Sequence, residues 1–418
     1  MLKKIKAELL FPVARTIICL KSEQARFQSL GKKPVVHFQA PYAGQRIMLL
    51  ALYEKGVLRP DVLRLLRHAK DAGLYVLAVN TLRLLDPAKV QGLVDCYIER
   101  PNFGRDFGSY KTGFLHFYAQ GWDRACPRLL MINDSVYFSS ERMPKFLDDM
   151  MSSEIEVLGS TENHEFEHHL GSFCIAMSSK VLRGGGLKAY WRRYRLTDVR
   201  PKVIERGEMA LSRALKRTVT SPKQFCALYS AARFAVEVSR SIDLLQSAIS
   251  LGRRSSLLWK NGGTPERLVA EVINRYAHNI DNKNNVVAKI FSDVTPVRNR
   301  YWVGDLPSII HAVRSIVVDG ESVNEEVIVS TVAATLMDNF IQGSQIHQNS
   351  SILLSMGLPI IKLDSLYRGV ANAEDVEILA SQLNDVEARE LRELLFQRPY
   401  GSHFLRGWRL SAFKGGYL

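Results

Sequence analysis

At 418 residues and 46% hydrophobic side chains, the chain is too long for one ordinary compact domain and apolar enough to bury substantial cores. A formal charge of +14 admits nucleic acid, an anionic membrane face or a phosphorylated substrate as partner, without choosing among them. Five scattered cysteines with no CxxC pair argue against a disulfide framework and suit free thiols in a reducing compartment.

Residues 1–30 form a basic amphipathic segment, with Lys3, Lys4 and Lys6 leading into Leu9, Leu10 and Phe11. Pro12 and Arg15 interrupt its apolar run, so it reads as neither signal peptide nor membrane span. A surface helix and a segment lying on an anionic membrane are both open readings. Within a domain expected over residues 31–215, residues 35–160 alternate short β-type runs with helix-type stretches: VVHFQA, then RIMLLALYEKG as a helix; LYVLAVN, then DPAKVQGLVD; DCYIE, then GSYKTGFLHFYAQG; RLLMIND, then MPKFLDDMMSS; EVLGS. This pattern predicts an α/β fold with a doubly wound, mainly parallel sheet, which binds ligands beyond the carboxyl ends of its strands. Gln39 and Ala40, Asn80, Asn102 to Asp106 and Asn133 to Ser135 occupy those ends. Residues 216–418 read as an additional, mostly α-helical C-terminal region, broken by WKNGGTPE and HNIDNKNN.

Four motifs carry possible chemistry. ERPNFGRDFGSYKTGF sits where a strand gives way to a helix, and Asn102, Gly104, Arg105 and Asp106 fit either a nucleotide cradle or a turn closed by an ion pair. LLMINDSVYF stops at Asn133, Asp134 and Ser135, where a carboxylate can hold a divalent cation against a diphosphate or simply end a strand. HLGSFCIAM brings His169 and Ser172 to the head of a strand. In RGEMALSRAL, Glu208 is expected to open a helix, as a general base or as a charge complementing the helix dipole.

NFGRDFGSYKTGF, a strand ending in NDS, HLGSFCIAM and the ExxLS fragment from Glu208 to Ser212 follow one another in an order that resembles the rhamnan synthesis protein F family. GLPIIKLDSLYRGV resembles the tail of that family, whereas residues 216–335 match nothing recognisable. The resemblance implies a GT-A-like glycosyltransferase that moves a sugar, rhamnose or a related deoxyhexose, with inversion, from a nucleotide-sugar to a hydroxyl of a cell-surface polysaccharide precursor. Asn102, Gly104, Arg105, Asp106, Asn133, Asp134 and Ser135 would bind the donor, and Asp134 would hold Mg²⁺ or Mn²⁺ at a DxD-like position that has one carboxylate instead of two. Glu208 would be the base, with His169 the second catalytic candidate. Ser172, His347 and Lys362 would approach the acceptor. The resemblance also implies a lipid-linked glycan acceptor, other polysaccharide-assembly enzymes as partners, and a cytoplasmic protein peripheral to the inner face of the bacterial membrane.

Two other classes compete. HEFEHHLG matches H-E-x-x-H, so His164 and His168 would bind zinc and Glu165 would activate water in a metalloprotease, but Cys174 stands where the extended motif needs a third histidine. YWRRYR at 190–195 interleaves aromatic and Arg residues as a nucleic-acid binder does, although a basic helix face is the commoner origin and no nucleic acid is expected.

Overall fold

The computed structural model describes residues 10–251, 305–316, 324–341, 343–398 and 400–418; WKNGGTPE, HNIDNKNN and the basic residues Lys3, Lys4 and Lys6 lie outside the described residues. Helix α1 (Phe11–Ser29) precedes strand β1 (Val35–Gln39). Next come β2 (Ile47–Leu52), α2 (Pro60–Asp71), β3 (Tyr75–Asn80), β4 (Cys96–Glu99) and α3 (Arg105–Ala119). They are followed by β5 (Arg128–Asn133), β6 (Val136–Phe138), α4 (Met143–Ser152) and β7 (Val157–Gly159). A hairpin of β8 (Glu162–Asn163) and β9 (His169–Leu170) leads to β10 (Cys174–Ser178), α5 (Gly185–Arg193), α6 (Ala210–Lys216) and β11 (Phe225–Ala227).

Eight strands form one mostly parallel sheet in the order β1-β4-β3-β2-β5-β10-β7-β11. β2 pairs parallel with both β3 and β5, β3 pairs parallel with β4, and β7 pairs parallel with β11. Only β1 and β10 run against their sheet neighbours. Successive strands are added on one side of β2 as far as β4, and then on its other side from β5. That reversal opens a crevice at the carboxyl ends of β2 and β5, where α/β sheets take their ligands.

Residues 46–56, expected as a helix, contain β2 instead. Met48, Leu50 and Leu52 point into a core shared with Val62, Leu65 and Leu66 of α2 and Phe146 of α4. Ile47, Leu49 and Ala51 point into the opposite core, with Phe107, Tyr110 and Phe114 of α3 and Trp191 of α5. A strand buried on both faces needs apolar residues at every position, so it loses the alternation that marks a strand. The helix belonging to this unit is α2, which begins at Pro60 with Asp61 in its first turn. DPAKVQGLVD contains a 3₁₀ turn, Pro87–Val90, and no longer helix.

Beyond β11 the chain is mainly helical: α7 (Ala231–Arg240), α8 (Ile242–Leu251), α9 (Leu306–Ile316), α10 (Glu325–Ile341) and α11 (Ser350–Ser355). Phe234 and Phe340 stack with centroids 4.2 Å apart, and Val238, Leu245, Ile309 and Val332 extend the core that begins beneath β2. Strand β12 (Ile360–Lys362) then pairs antiparallel with β6, bringing the late segment back to the sheet. Helices α12 (Ala373–Ala380), α13 (Asp385–Phe396) and α14 (Gly407–Lys414) follow. Glu390 of α13 receives two hydrogen bonds from Arg64 of α2, and Ala412 of α14 packs on Ala14 and Ile18 of α1. Among the described residues no helix is long and apolar enough to cross a membrane. All five cysteines are free.

Candidate functional site

β2 and β5 end side by side, and their last residues turn polar together. The Tyr53 amide donates to Asp134 Oδ2 at 2.6 Å, tying the exit of β2 to the exit of β5. Glu54 follows directly and is held by Asn80 at the end of β3: its N–H donates to Asn80 Oδ1, and its carbonyl accepts from Asn80 Nδ2. Arg59 reaches across, donating to the Asp134 and Val136 carbonyls and bonding both oxygens of buried Asp61, with Glu54 Oε1 3.5 Å away. Glu54, Asp61 and Asp134 thus share one guanidinium. Burial pushes the Glu54 and Asp134 carboxyls above their usual range; Arg59 pulls both back, while Asp134 repels Glu54 and Asp106 repels Asp134.

The loop before α3 forms the second wall. Arg100 is buried beneath it, donating to Ser109 Oγ and to the carbonyls of Pro101, Phe103 and Arg105, so one side chain sets the path of residues 101–105. Gly104 takes φ +96°, a left-handed conformation disfavoured for side-chain-bearing residues, and its N–H is taken by Asp198 Oδ1 at 2.7 Å. Arg105, at φ +51°, shares that strained region. Asp106, in the first turn of α3, accepts from Asn133 Nδ2 at 3.2 Å, and Asn133 Oδ1 in turn accepts from the Ser135 amide and hydroxyl. Asn102, Arg105 and Asp106 remain exposed at the rim.

Glu208 closes the crevice from a third direction. It lies in a π-helical turn, Ile204–Met209, instead of opening a helix. The preceding Gly207 accounts for the close approach: a Cβ there would stand 2.9 to 3.0 Å from three atoms of the Phe107 ring. Four residues on, the Ser212 hydroxyl accepts the Leu170 N–H, so the ExxLS fragment fastens the β8–β9 hairpin and sets His169 near Glu208. Burial raises the Glu208 carboxyl above its usual range, against the charges of His169, Lys362 and Arg200, while Asp106 adds repulsion. Lys362 arrives on β12, donates to Ser135 Oγ at 2.6 Å and lies over the Phe173 ring. The NFGRD loop, NDS, His169, Glu208 and Lys362 therefore converge on one crevice.

Ser172 and His347 are less directly placed. Ser172 is buried at the head of β10, with its carbonyl accepting from Tyr110 OH. His347 bonds Ser365 Oγ and faces Asp364, which also pairs with Arg368. Burial holds this imidazole well below its ordinary pKa, and Lys362, Arg368 and Arg200 push it further down. Arg200, nearby, is lowered to about 10 by burial.

Glu54, Arg59, Arg100, Asp198 and Arg200 line or brace the crevice, and the sequence motifs did not single them out. For Glu54 a usable signal existed, since it directly follows an apolar run of strand length. The competing motifs fare differently from the crevice. H-E-x-x-H lies on the β8–β9 hairpin and not on a helix, and Glu162, not Glu165, is the carboxylate beside both histidines. In YWRRYR, Trp191 stacks on Phe114 at 4.7 Å and both Trp191 and Tyr194 are buried, so these rings are not available to bases.

A mixed α/β protein with a charged crevice at the sheet's reversal point is what the geometry defines. Residues 75–218 match the family model of rhamnan synthesis protein F, which supports a role in rhamnan or polysaccharide synthesis. The matched segment carries Asp106, Asp134, His169 and Glu208, while Glu54, Arg59 and Lys362 lie outside it. Over 189 residues the chain is 28% identical to the uncharacterized protein y4gN of Sinorhizobium fredii, covering 44% of this chain and 47% of that one. Over 119 residues it is 28% identical to the virulence protein VirA of Vibrio anguillarum, covering 28% of this chain and 38% of that one. The chain thus spans less than half the length of these curated relatives.

Proposed function

We propose that the protein is a GT-A-like glycosyltransferase that moves a sugar from a nucleotide-sugar to a hydroxyl of a polysaccharide precursor, with inversion. The observation that carries this reading is the meeting of Glu208, Asp106, Asp134 and Lys362 at the carboxyl ends of the parallel strands, where such sheets bind nucleotides. Glu208 is the base: a carboxylate whose proton affinity is raised by burial accepts a hydroxyl proton near neutral pH better than an ordinary one. Asn102 to Asp106 and Asn133 to Ser135 receive the donor, and Lys362 and Arg200 face its negative charge. His169 orients the acceptor hydroxyl toward Glu208, and Ser172, Lys362 and His347 line the acceptor side.

The oxygen donors Asp134 and Asp106 suit Mg²⁺ or Mn²⁺, and a buried acidic excess around the single Arg59 favours a cation there. Such a cation would neutralise charge on the leaving diphosphate. The name of the matched family supports rhamnose or a related deoxyhexose as the sugar, and a lipid-linked acceptor and partnership with other assembly enzymes belong to the same proposal. Attachment to an anionic membrane surface is supported by α1, which exposes Val13, Leu20 and Phe27 among Arg15, Lys21 and Arg26.

The test is incubation of the purified protein with a panel of nucleotide-sugars, with and without Mg²⁺ or Mn²⁺, recording binding and slow donor hydrolysis. A response to one donor, abolished in Glu208→Gln for transfer but not for binding, is expected. Silence toward every donor overturns the proposal.

A further inference from the structure

The β8–β9 hairpin carries a cluster that the proposed transfer reaction does not use. Among the described residues, Glu162, His164 and His168 are the one group of three His, Cys, Asp or Glu side chains whose ligand atoms all lie within 4.8 Å of one another. His168 Nε2 is 3.0 Å from Glu162 Oε2, and His164 Nε2 is 3.7 Å from Glu162 Oε1. The two imidazoles stack at 4.8 Å with an interplanar angle of 24°.

We propose that Glu162, His164 and His168 bind a divalent first-row transition metal ion, zinc in particular. Zinc sits about 2.0–2.2 Å from imidazole nitrogen and carboxylate oxygen, which for a tetrahedral ion sets neighbouring ligand atoms about 3.3 Å apart. The present separations approach that value, so rotation of side chains on an exposed loop closes the set without moving the strands. Two imidazoles and one carboxylate form a donor set for zinc and its neighbours and not for Mg²⁺ or Ca²⁺. The carboxylate is oriented from behind, because Glu162 Oε1 also accepts the Ala231 N–H at the start of α7. His164 is partly open to solvent, which provides an entry path and room for water as a fourth ligand.

The ligand set is not that of a zincin. Its carboxylate lies before the histidines and coordinates directly, and the three ligands occupy a hairpin within seven residues of sequence. Its effect is positional. The ion would join the two strands of the hairpin to the start of α7, and the residue following His168 is His169, beside Glu208.

The test uses the full-length protein, freed of metal by chelator and titrated with Zn²⁺ and with Co²⁺ as a spectroscopic probe. One saturable site is expected, with Co²⁺ absorption indicating histidine ligation and an upward shift in Tm. Binding is expected to disappear in His164→Ala and in His168→Ala, with far-UV circular dichroism confirming that both remain folded, and to persist in Asp134→Asn. Absence of saturable binding overturns the proposal, as does binding that survives both histidine substitutions. Loss of the site in Asp134→Asn alone would place the ion in the crevice and overturn it equally; donor binding is read separately and bears only on the transferase reading.

Discussion

Asn80 and Glu54 are joined by two hydrogen bonds, the Glu54 N–H donating to Asn80 Oδ1 at 3.1 Å and Asn80 Nδ2 donating to the Glu54 carbonyl at 2.8 Å. One carboxamide thereby extends strand-like pairing past the last residue of β2 and fixes the turn that presents Glu54. Asn80 Nδ2 also reaches Tyr97 OH, so its removal strands several buried groups at once. Asn80→Ala is expected to cost about 3 kcal/mol. Urea denaturation followed by circular dichroism would show a lowered midpoint at unchanged slope.

In the proposed transfer reaction Glu208 is a base only when ionised, and burial raises its pKa above the usual carboxylate range. Transfer activity is therefore expected to fall as pH drops through that raised value, at a pH where ordinary carboxylates are still charged. Glu208→Gln should lower kcat by about 10²- to 10⁴-fold and flatten this acidic limb. A pH profile of kcat/KM for both proteins checks the limb and its assignment.

Asp134 and Glu54 have folded-state pKa values raised above those of the unfolded chain, so the native state binds the extra protons. Between the unfolded and folded values their contribution to stability is present at low pH and declines as pH rises. Asp134→Asn keeps an acceptor for the Tyr53 N–H and removes one buried charge. It should stabilise the protein at neutral pH by about 1 kcal/mol, and the gain should shrink on acidification. Calorimetry across pH measures this, and any Tm increase caused by Mn²⁺ in the crevice should vanish in the same variant.

A methyl group at Gly207 would enter the Phe107 ring, which is itself packed against Trp191 and Tyr194 at 6.0 and 5.4 Å between centroids. The ring has little room to retreat, so Gly207→Ala should cost about 1–3 kcal/mol. Because Glu208 is the next residue, kcat should drop by more than KM changes. Thermal denaturation and steady-state kinetics separate the two effects.

The parts of the fold visible in the sequence are those whose chemistry is local. NFGRD announces its turn through Gly104, and LLMIND announces a strand that ends at Asp134. β2 could not be told from a helix, because both faces of IMLLAL are buried and its periodicity is erased. Asp134, Glu208 and Lys362 were recognisable one by one in their motifs. Arg59 and Arg200 were not: the Asp134 and Val136 carbonyls that Arg59 reaches lie 75 and 77 residues further on, and Asp364, whose charge acts on Arg200, arrives with the late segment. Arg100 was hidden for another reason: it serves the backbone of its own loop and projects nothing into the crevice.

The pairing of β12 with β6 has a consequence for the order in which the protein matures. The amine of Lys362 meets the hydroxyl of Ser135 across 227 residues of chain. During synthesis the carboxyl ends of β2, β3 and β5 leave the ribosome long before Lys362 does. A nascent chain therefore holds Glu208 without the charge of Lys362, which reaches it only when the late segment docks.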